Sequence, residues 1–323
     1  MDGASEGRGP VWQWVDRVAI GLGAAAALIL LLDAVPRLQL LSRLFVILAA
    51  LTPYAWLLAN VALVLFVVGR RRVLAAVLCV AMMGLGLWTA RGYWRSGEVP
   101  NVGAPVTLAT MNMRCLTAGA EDLTQLLRSE VPDAVVLNGI DRPVRAELLA
   151  DLGDLYPAAA FTPMSGFPRC GSIVLSRHPM TAWLDGRQHP TAKVHAPGFW
   201  FELVAVDLPT PTDGISPWLE SFDELTADVT GLADRPVVAV GDFNAVLEHE
   251  PMRRLAAETG LRDAVVRSGL GWIPTFPGDG VVPPLVALDH VMVSPGLAAS
   301  SAWTESVPGQ AHQALFVTVG TAP

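Results

Sequence analysis

Asp242 and Asn244 stand where chemistry is most easily built. They fall in Gly241-Asp242-Phe243-Asn244-Ala245, directly after Arg235-Pro236-Val237-Val238-Ala239-Val240. That run is apolar and β-branched and is bounded by a proline, so it reads as a buried strand. Side chains alternate along a strand, which puts residues two apart on the same side. A carboxylate and an amide would therefore converge at the strand's C-terminal end, an arrangement suited to handling phosphate. The ordinary reading of Asp-x-Asn after a strand is a turn. Only partners supplied by other segments raise the pair above that reading.

Elements able to supply those partners follow in order. Strands are expected over Val106–Met113, Ala134–Leu137, Ser172–Ser176, Trp200–Leu208, Leu288–Val293 and Ala314–Val319. Helices are expected over Ala120–Glu130, Pro143–Leu152, Pro217–Leu232 and Met252–Thr259. The first helix has Leu123, Leu126 and Leu127 on one face. Alternating strands and helices without a repeat predict an α/β (α+β) domain, two packed sheets covered by helices.

The chain has 323 residues, 52% of them hydrophobic, and the apolar excess lies before about residue 95. Val18–Val35, Leu44–Val68 and Val73–Ala90 each approach or exceed the roughly 20 apolar residues of a spanning helix. Three transmembrane helices are therefore expected, with Pro53 kinking the second and Trp88, Tyr93 and Trp94 anchoring the third. The division is a tail at 1–17, a membrane domain at 18–95, a linker at 96–105 and a folded domain at 106–320. Arg70-Arg71-Arg72 is the densest basic cluster, so its loop is placed in the cytoplasm together with the N-terminus. Three spans then place the folded domain outside a plasma membrane. Up to Gly103 the charges sum to +4, and from Ala104 onward to −12. An acidic domain with a single lysine, Lys193, disfavours non-specific nucleic-acid binding. The charge tilts the expected partner toward a small or lipid-linked phosphate ester, beside the lipid bilayer itself. Cys115 and Cys170 could pair in an oxidising compartment, which spacing alone does not decide, and Cys79 reads as a small buried hydrophobe. His178, His189, His195 and His249 read as surface residues, and Trp272–Phe276 as packing under a loop near the site.

Five stretches then fall in a recognisable order. They are Thr110-Met111-Asn112-Met113-Arg114, Pro132–Gly139, Cys170–Pro179, Gly241–Ala245 and Leu288–Ser294, closed by Ala311-His312. Together they resemble the endonuclease/exonuclease/phosphatase family, the deoxyribonuclease-I-like fold, over about residues 104–320. The resemblance implies a four-layer sandwich and metal-assisted hydrolysis of phosphate esters with Mg²⁺ or Mn²⁺. It matches His312 to the family's catalytic histidine and Asp289 to the acid that orients it. Asp242 matches the residue beside the attacking water, Asn244 the amide holding a phosphate oxygen, and Asn112 an asparagine of the same shell.

The departures carry equal weight. Gly139 stands where the family has its metal-binding glutamate, and Ala311 where it has a second metal-site aspartate. Asp207 stands where a histidine is usual, as a candidate for substrate or metal, although a solvated strand-end acid is its ordinary reading. Asp141 and Asp207 are the candidates for a relocated metal site, with simple loss preferred. Two readings remain open: a membrane-anchored phosphoesterase, and a catalytically impaired binding or structural module on the same fold.

Overall fold

The computed structural model describes residues 10–69, 99–115, 120–164, 167–183 and 189–323, with isolated positions between 75 and 84. Two compact units divide the chain: 1–92 with 248–250, and 93–247 with 251–323.

The first unit opens with α1 (Pro10–Ala34), 25 residues at mean hydropathy 2.0. It starts eight residues before the expected span, taking in Trp12 and Trp14 from the segment expected to be a tail. By length and composition α1 can cross a membrane, and a signal sequence meets the same test. The second expected span is not one helix. It is broken into α2 (Arg43–Ala50) and α3 (Thr52–Val68), which bend by 77° at the junction. The cause is local: Pro53 sits in the first turn of α3, where it lacks the N–H needed to continue the preceding ladder. Of the third expected span only isolated positions are described, and its tryptophan and tyrosine anchors and the Arg70–Arg72 loop lie outside the described residues.

The second unit begins with β1 (Gly103–Asn112), α4 (Ala120–Glu130), β2 (Ala134–Asp141), α5 (Arg142–Leu152), β3 (Ala158–Met164) and β4 (Phe167–Ser176). It continues through β5 (Met180–Trp183), β6 (Thr191–Ala196), β7 (Phe199–Asp207), α6 (Ile215–Thr230) and β8 (Val237–Asp242). It closes with α7 (Glu250–Thr259), β9 (Arg262–Asp263), α8 (Ala264–Arg267), β10 (Asp289–Val293), β11 (Leu297–Glu305) and β12 (Ala314–Thr321). Two six-stranded sheets result, ordered β11-β12-β1-β2-β4-β3 and β5-β6-β7-β8-β10-β9. Both are mixed: β1 runs parallel to β2 and β7 parallel to β8, while the other pairs are antiparallel.

Period-two alternation sorts the side chains. Val106 and Leu108 of β1, Val136 of β2 and Val174 of β4 meet Phe201, Leu203 and Ala205 of β7, Val238 and Val240 of β8, and Val291 and Val293 of β10 in one buried core between the sheets. The intervening residues of the first sheet, among them Met111, Val135, Leu137 and Ile173, pack with Leu123 and Leu127 of α4 and Val144 and Leu148 of α5. On α6, Trp218, Phe222, Leu225 and Val229 form a buried stripe at helical spacing. Burying one such side chain is worth about 1.5–3 kcal/mol, against about 1 kcal/mol for a typical hydrogen bond. The apolar core therefore holds the sheets together, and polar contacts at its margin set geometry.

Candidate functional site

The parity that points Val106 and Leu108 inward also points Asn112 inward, at the last position of β1. The same count carries Asn138 inward on β2, Ser172 on β4, Asp207 on β7, Asp242 on β8 and Asp289 on β10. Asp207, Asp242 and Asp289 lie directly opposite one another across three adjacent strands. The site is thus the polar margin of the inter-sheet core, at the C-terminal ends of the parallel strands. In open α/β sheets the corresponding ends are where ligands bind.

Three polar contacts bridge the sheets there. Asn112 Nδ2 donates to Asp242 Oδ2 at 2.8 Å. Asn138 Nδ2 donates to the Val206 carbonyl. Ser172 Oγ donates to Asp207 Oδ2 at 3.5 Å, the loosest of the three. Asp242 is fully buried, and its Oδ1 also accepts from the Asn244 backbone N–H at 2.7 Å.

His312 arrives from the segment before β12. Its Nδ1 lies 2.8 Å from Asp289 Oδ2, and its Nε2 lies 3.8 Å from Asp242 Oδ2. Thr275 Oγ1 donates to the same Asp289 oxygen at 2.6 Å and accepts from the Asp289 backbone N–H at 3.2 Å. The Phe276 ring packs 5.2 Å from the imidazole, centre to centre. The expectation that Trp272–Phe276 packs near the site is thus met by Phe276. Thr275 adds a direct contact with Asp289 that no short-range pattern announces.

Electrostatics reflect this crowding of acids. Burial, followed by the Asp289 charge, pushes the Asp242 carboxyl up to about 6, against His312 and the hydrogen bonds from Asn112 and Asn244. Burial and then Asp242 push Asp207 up to about 8. For His312 burial disfavours the charge, but Asp289 and Asp242 together outweigh it and raise the imidazolium to about 9.

Asp242, Asp289 and His312 each offer one ligand atom within 4.8 Å of the others, so this buried group could hold a metal ion. Asp289 Oδ1 is buried without a hydrogen-bond partner among the described residues, an acceptor suited to a cation. The position that the family resemblance gives to its metal-binding glutamate does not fit. Gly139 has φ +61°, and a Cβ there would lie 2.6 Å from the Arg114 nitrogen, 2.9 Å from Asn112 Oδ1 and 2.9 Å from the Cys115 nitrogen. Two backbone nitrogens and the Asn112 amide oxygen occupy the volume a side chain would need to leave Gly139. The turn that fills it is tied down, with Met113 N–H donating to the Asn138 carbonyl at 2.9 Å and Cys115 N–H to the Gly139 carbonyl at 2.7 Å. A disulfide joins Cys115 to Cys170 of β4, with Cα atoms 5.8 Å apart.

Other expected residues fall differently. Asp141 is no ligand of this group: it is the N-cap of α5, its Oδ1 accepting from Val144 N–H at 2.9 Å. The Asp-Arg-Pro sequence carries that signature, an N-cap acid with proline in the first turn. Asp207 is not a solvated acid; it is part-buried and faces Asp242. Asn244, with φ +46°, spends its amide hydrogens on the Leu208 carbonyl at 2.8 Å and Asp242 Oδ2 at 3.1 Å. Its amide therefore braces Asp242 in this state. His195 is exposed as expected, His178 is half-buried against Asp133 at 2.9 Å, and His189 and His249 are buried. His189 pairs with Asp228 at 3.0 Å. His290 is also buried, with Nδ1 2.9 Å from Asp263 and Nε2 2.9 Å from the Ala245 carbonyl. It is a polar strut that also packs edge-on against the Phe243 ring, 5.6 Å centre to centre.

The chain matches the model of the Endonuclease/Exonuclease/phosphatase family over residues 109–316. Among solved structures it is similar to an endonuclease/exonuclease/phosphatase from Bacteroides vulgatus, at 15% identity and TM-score 0.57, covering 68% of this chain and 100% of that one. It is similar to D. rerio TDP2 complexed with single strand DNA product, at 14% identity and TM-score 0.52, covering 68% and 100%. It is similar also to the human Nocturnin catalytic domain with bound sulfate anion, at 17% identity and TM-score 0.52, covering 68% and 95%. No curated protein matches the chain. These identities speak to the fold. The family model spans more than half of the chain and contains all five ordered stretches with their converging acids and histidine, and the chain belongs to the endonuclease/exonuclease/phosphatase family.

Proposed function

We propose that the chain is a membrane-anchored phosphoesterase whose proton chemistry is carried by Asp242 and His312, with Asp289 and Thr275 positioning the imidazole. The observation that carries this reading is the buried trio of Asp242, Asp289 and His312 within 4.8 Å. His312 turns Nδ1 to Asp289 and leaves Nε2 toward Asp242 and the substrate side. An imidazolium held to about 9 is a proton donor near neutral pH, suited to the leaving oxygen. Asp242, titrating near 6, is ionised at neutral pH and suited to taking a proton from water. The carboxylate oxygens of Asp242 and Asp289 would hold a divalent ion such as Mg²⁺ or Mn²⁺, which would stabilise negative charge on phosphate oxygens, while His312 as an imidazolium has no lone pair to offer it. Asp207 would border the substrate, and Asn112 would keep Asp242 aligned.

The membrane part of the reading rests on α1, on the apolar segments after it and on the arginine cluster at 70–72. A disulfide in the folded domain agrees with an extracytoplasmic site. With the acidic balance of that domain, a small or lipid-linked phosphate ester fits better than nucleic acid.

One observation favours the alternative, an impaired binding module. The glutamate volume is closed by backbone at Gly139. The two readings separate in one assay. Full-length chain in detergent is given phosphodiester and phosphomonoester panels with Mg²⁺, Mn²⁺ or chelator, beside His312→Ala. Turnover that depends on His312, rising through about pH 6 and falling above about pH 9, is expected. No turnover selects the binding module, and equal turnover in the variant rejects the role given to His312.

A further inference from the structure

Arg114 sits where the two halves of the site meet. Its backbone N–H donates to Asn112 Oδ1 at 2.8 Å, and the other end of that amide donates to Asp242 Oδ2 at 2.8 Å. One residue on, the Cys115–Cys170 disulfide and the Cys115 N–H bond to Gly139 fix the turn to β4 and β2. Arg114 and Cys115 both hold left-handed backbone, with φ of 51° and 58°. Residues with a Cβ adopt that region rarely, and it persists only where the surroundings impose it. The chain thus holds a long basic side chain in a costly conformation, at one defined point beside the site.

The side chain itself is uncommitted. Arg114 is exposed, and among the described residues no hydrogen bond or ion pair engages its guanidinium. It is nevertheless close enough to His312 for the two cations to repel, which lowers the charge affinity of the imidazole. A phosphate entering here meets Asp207, Asp242 and Asp289 in a row, with His312 as the buried positive partner. The glutamate side, where a bound cation would offset those carboxylates, is closed. A guanidinium supplies the missing charge in a form matched to phosphoryl oxygens, as a planar two-pronged donor.

We propose that Arg114 is an anion-binding residue of this site, its guanidinium holding substrate phosphoryl oxygens from the side where the family places its metal-binding glutamate. The proposal rests on the phosphoesterase reading for the word substrate, but its test does not need turnover. Inorganic phosphate is titrated into full-length chain by calorimetry in excess EDTA, with wild type, Arg114→Ala and Arg114→Lys. The exposed position leaves folding to be checked by thermal melting, with an unchanged Tm expected. Wild type is expected to bind without metal, Arg114→Ala to bind roughly ten- to a hundredfold more weakly, and Arg114→Lys to lie between them. Equal binding by wild type and Arg114→Ala overturns the proposal, and so does wild-type binding that disappears in EDTA. Arg114-dependent phosphate binding without ester turnover would sustain this assignment and reject hydrolysis. Turnover with Arg114-independent binding would do the reverse.

Discussion

The two sheets contribute opposite kinds of ending to the site. On the second sheet, β8 and β10 end in Asp242 and Asp289, paired directly across the ladder, with His312 docked on one and near the other. Every acid there has donors waiting: Asn112 and Asn244 for Asp242, Thr275 for Asp289. On the first sheet, the β1–β2 ladder ends at Asn112 and Asn138, with Gly139 next on β2 and a disulfide-pinned turn after β1. There the backbone has moved into the volume of a side chain. The difference teaches that losing a ligand and losing its pocket are separate events. At Ala311 a carboxylate is absent; at Gly139 the room for a side chain is absent as well.

The comparison breaks most visibly through activity. His312→Ala, on the second-sheet side, is expected to lower turnover by about 10²–10⁴-fold, the usual range for a general acid or base. Equal turnover would mean that the second sheet is scaffold and not site. The next effect is structural. Gly139→Ala puts a Cβ 2.6 Å from the Arg114 nitrogen at φ +61°, and should cost about 2–4 kcal/mol, read as a lower denaturant midpoint. An unchanged midpoint would mean the turn yields easily and the pocket is still open. The smallest effect is the loss of phosphate affinity in Arg114→Ala, which sharpens the comparison by asking whether the rebuilt side kept a role in binding.

Much of this was legible in the chain. The Ala120–Glu130 helix has the bounds its leucine spacing predicts, and β8 follows from its β-branched run. Asp242, Asp289 and His312 converge as their motifs imply. Strands poor in β-branched residues escaped notice: β3 reads Ala-Ala-Ala-Phe-Thr-Pro-Met, and β11 is rich in alanine and serine. Neighbouring strands impose extended structure on them, and no local preference does. Pro53 gave warning of a kink, but not of a full 77° break. Gly139 shows the limit most clearly. Sequence reports that a carboxylate is missing; only three-dimensional packing reports that Arg114 and Cys115 have taken its place. Thr275 reaches Asp289 from fourteen residues away through tertiary structure alone.

The most direct measurement is Mg²⁺ calorimetry on the double variant Gly139→Glu/Ala311→Asp, beside wild type, with thermal melting of both. If the first sheet's half of the site has been filled, restoring both carboxylates brings no gain in affinity and lowers the Tm, because the glutamate cannot be seated against the Arg114–Cys115 backbone. A tenfold or larger gain in Mg²⁺ affinity with an unchanged Tm would contradict the account.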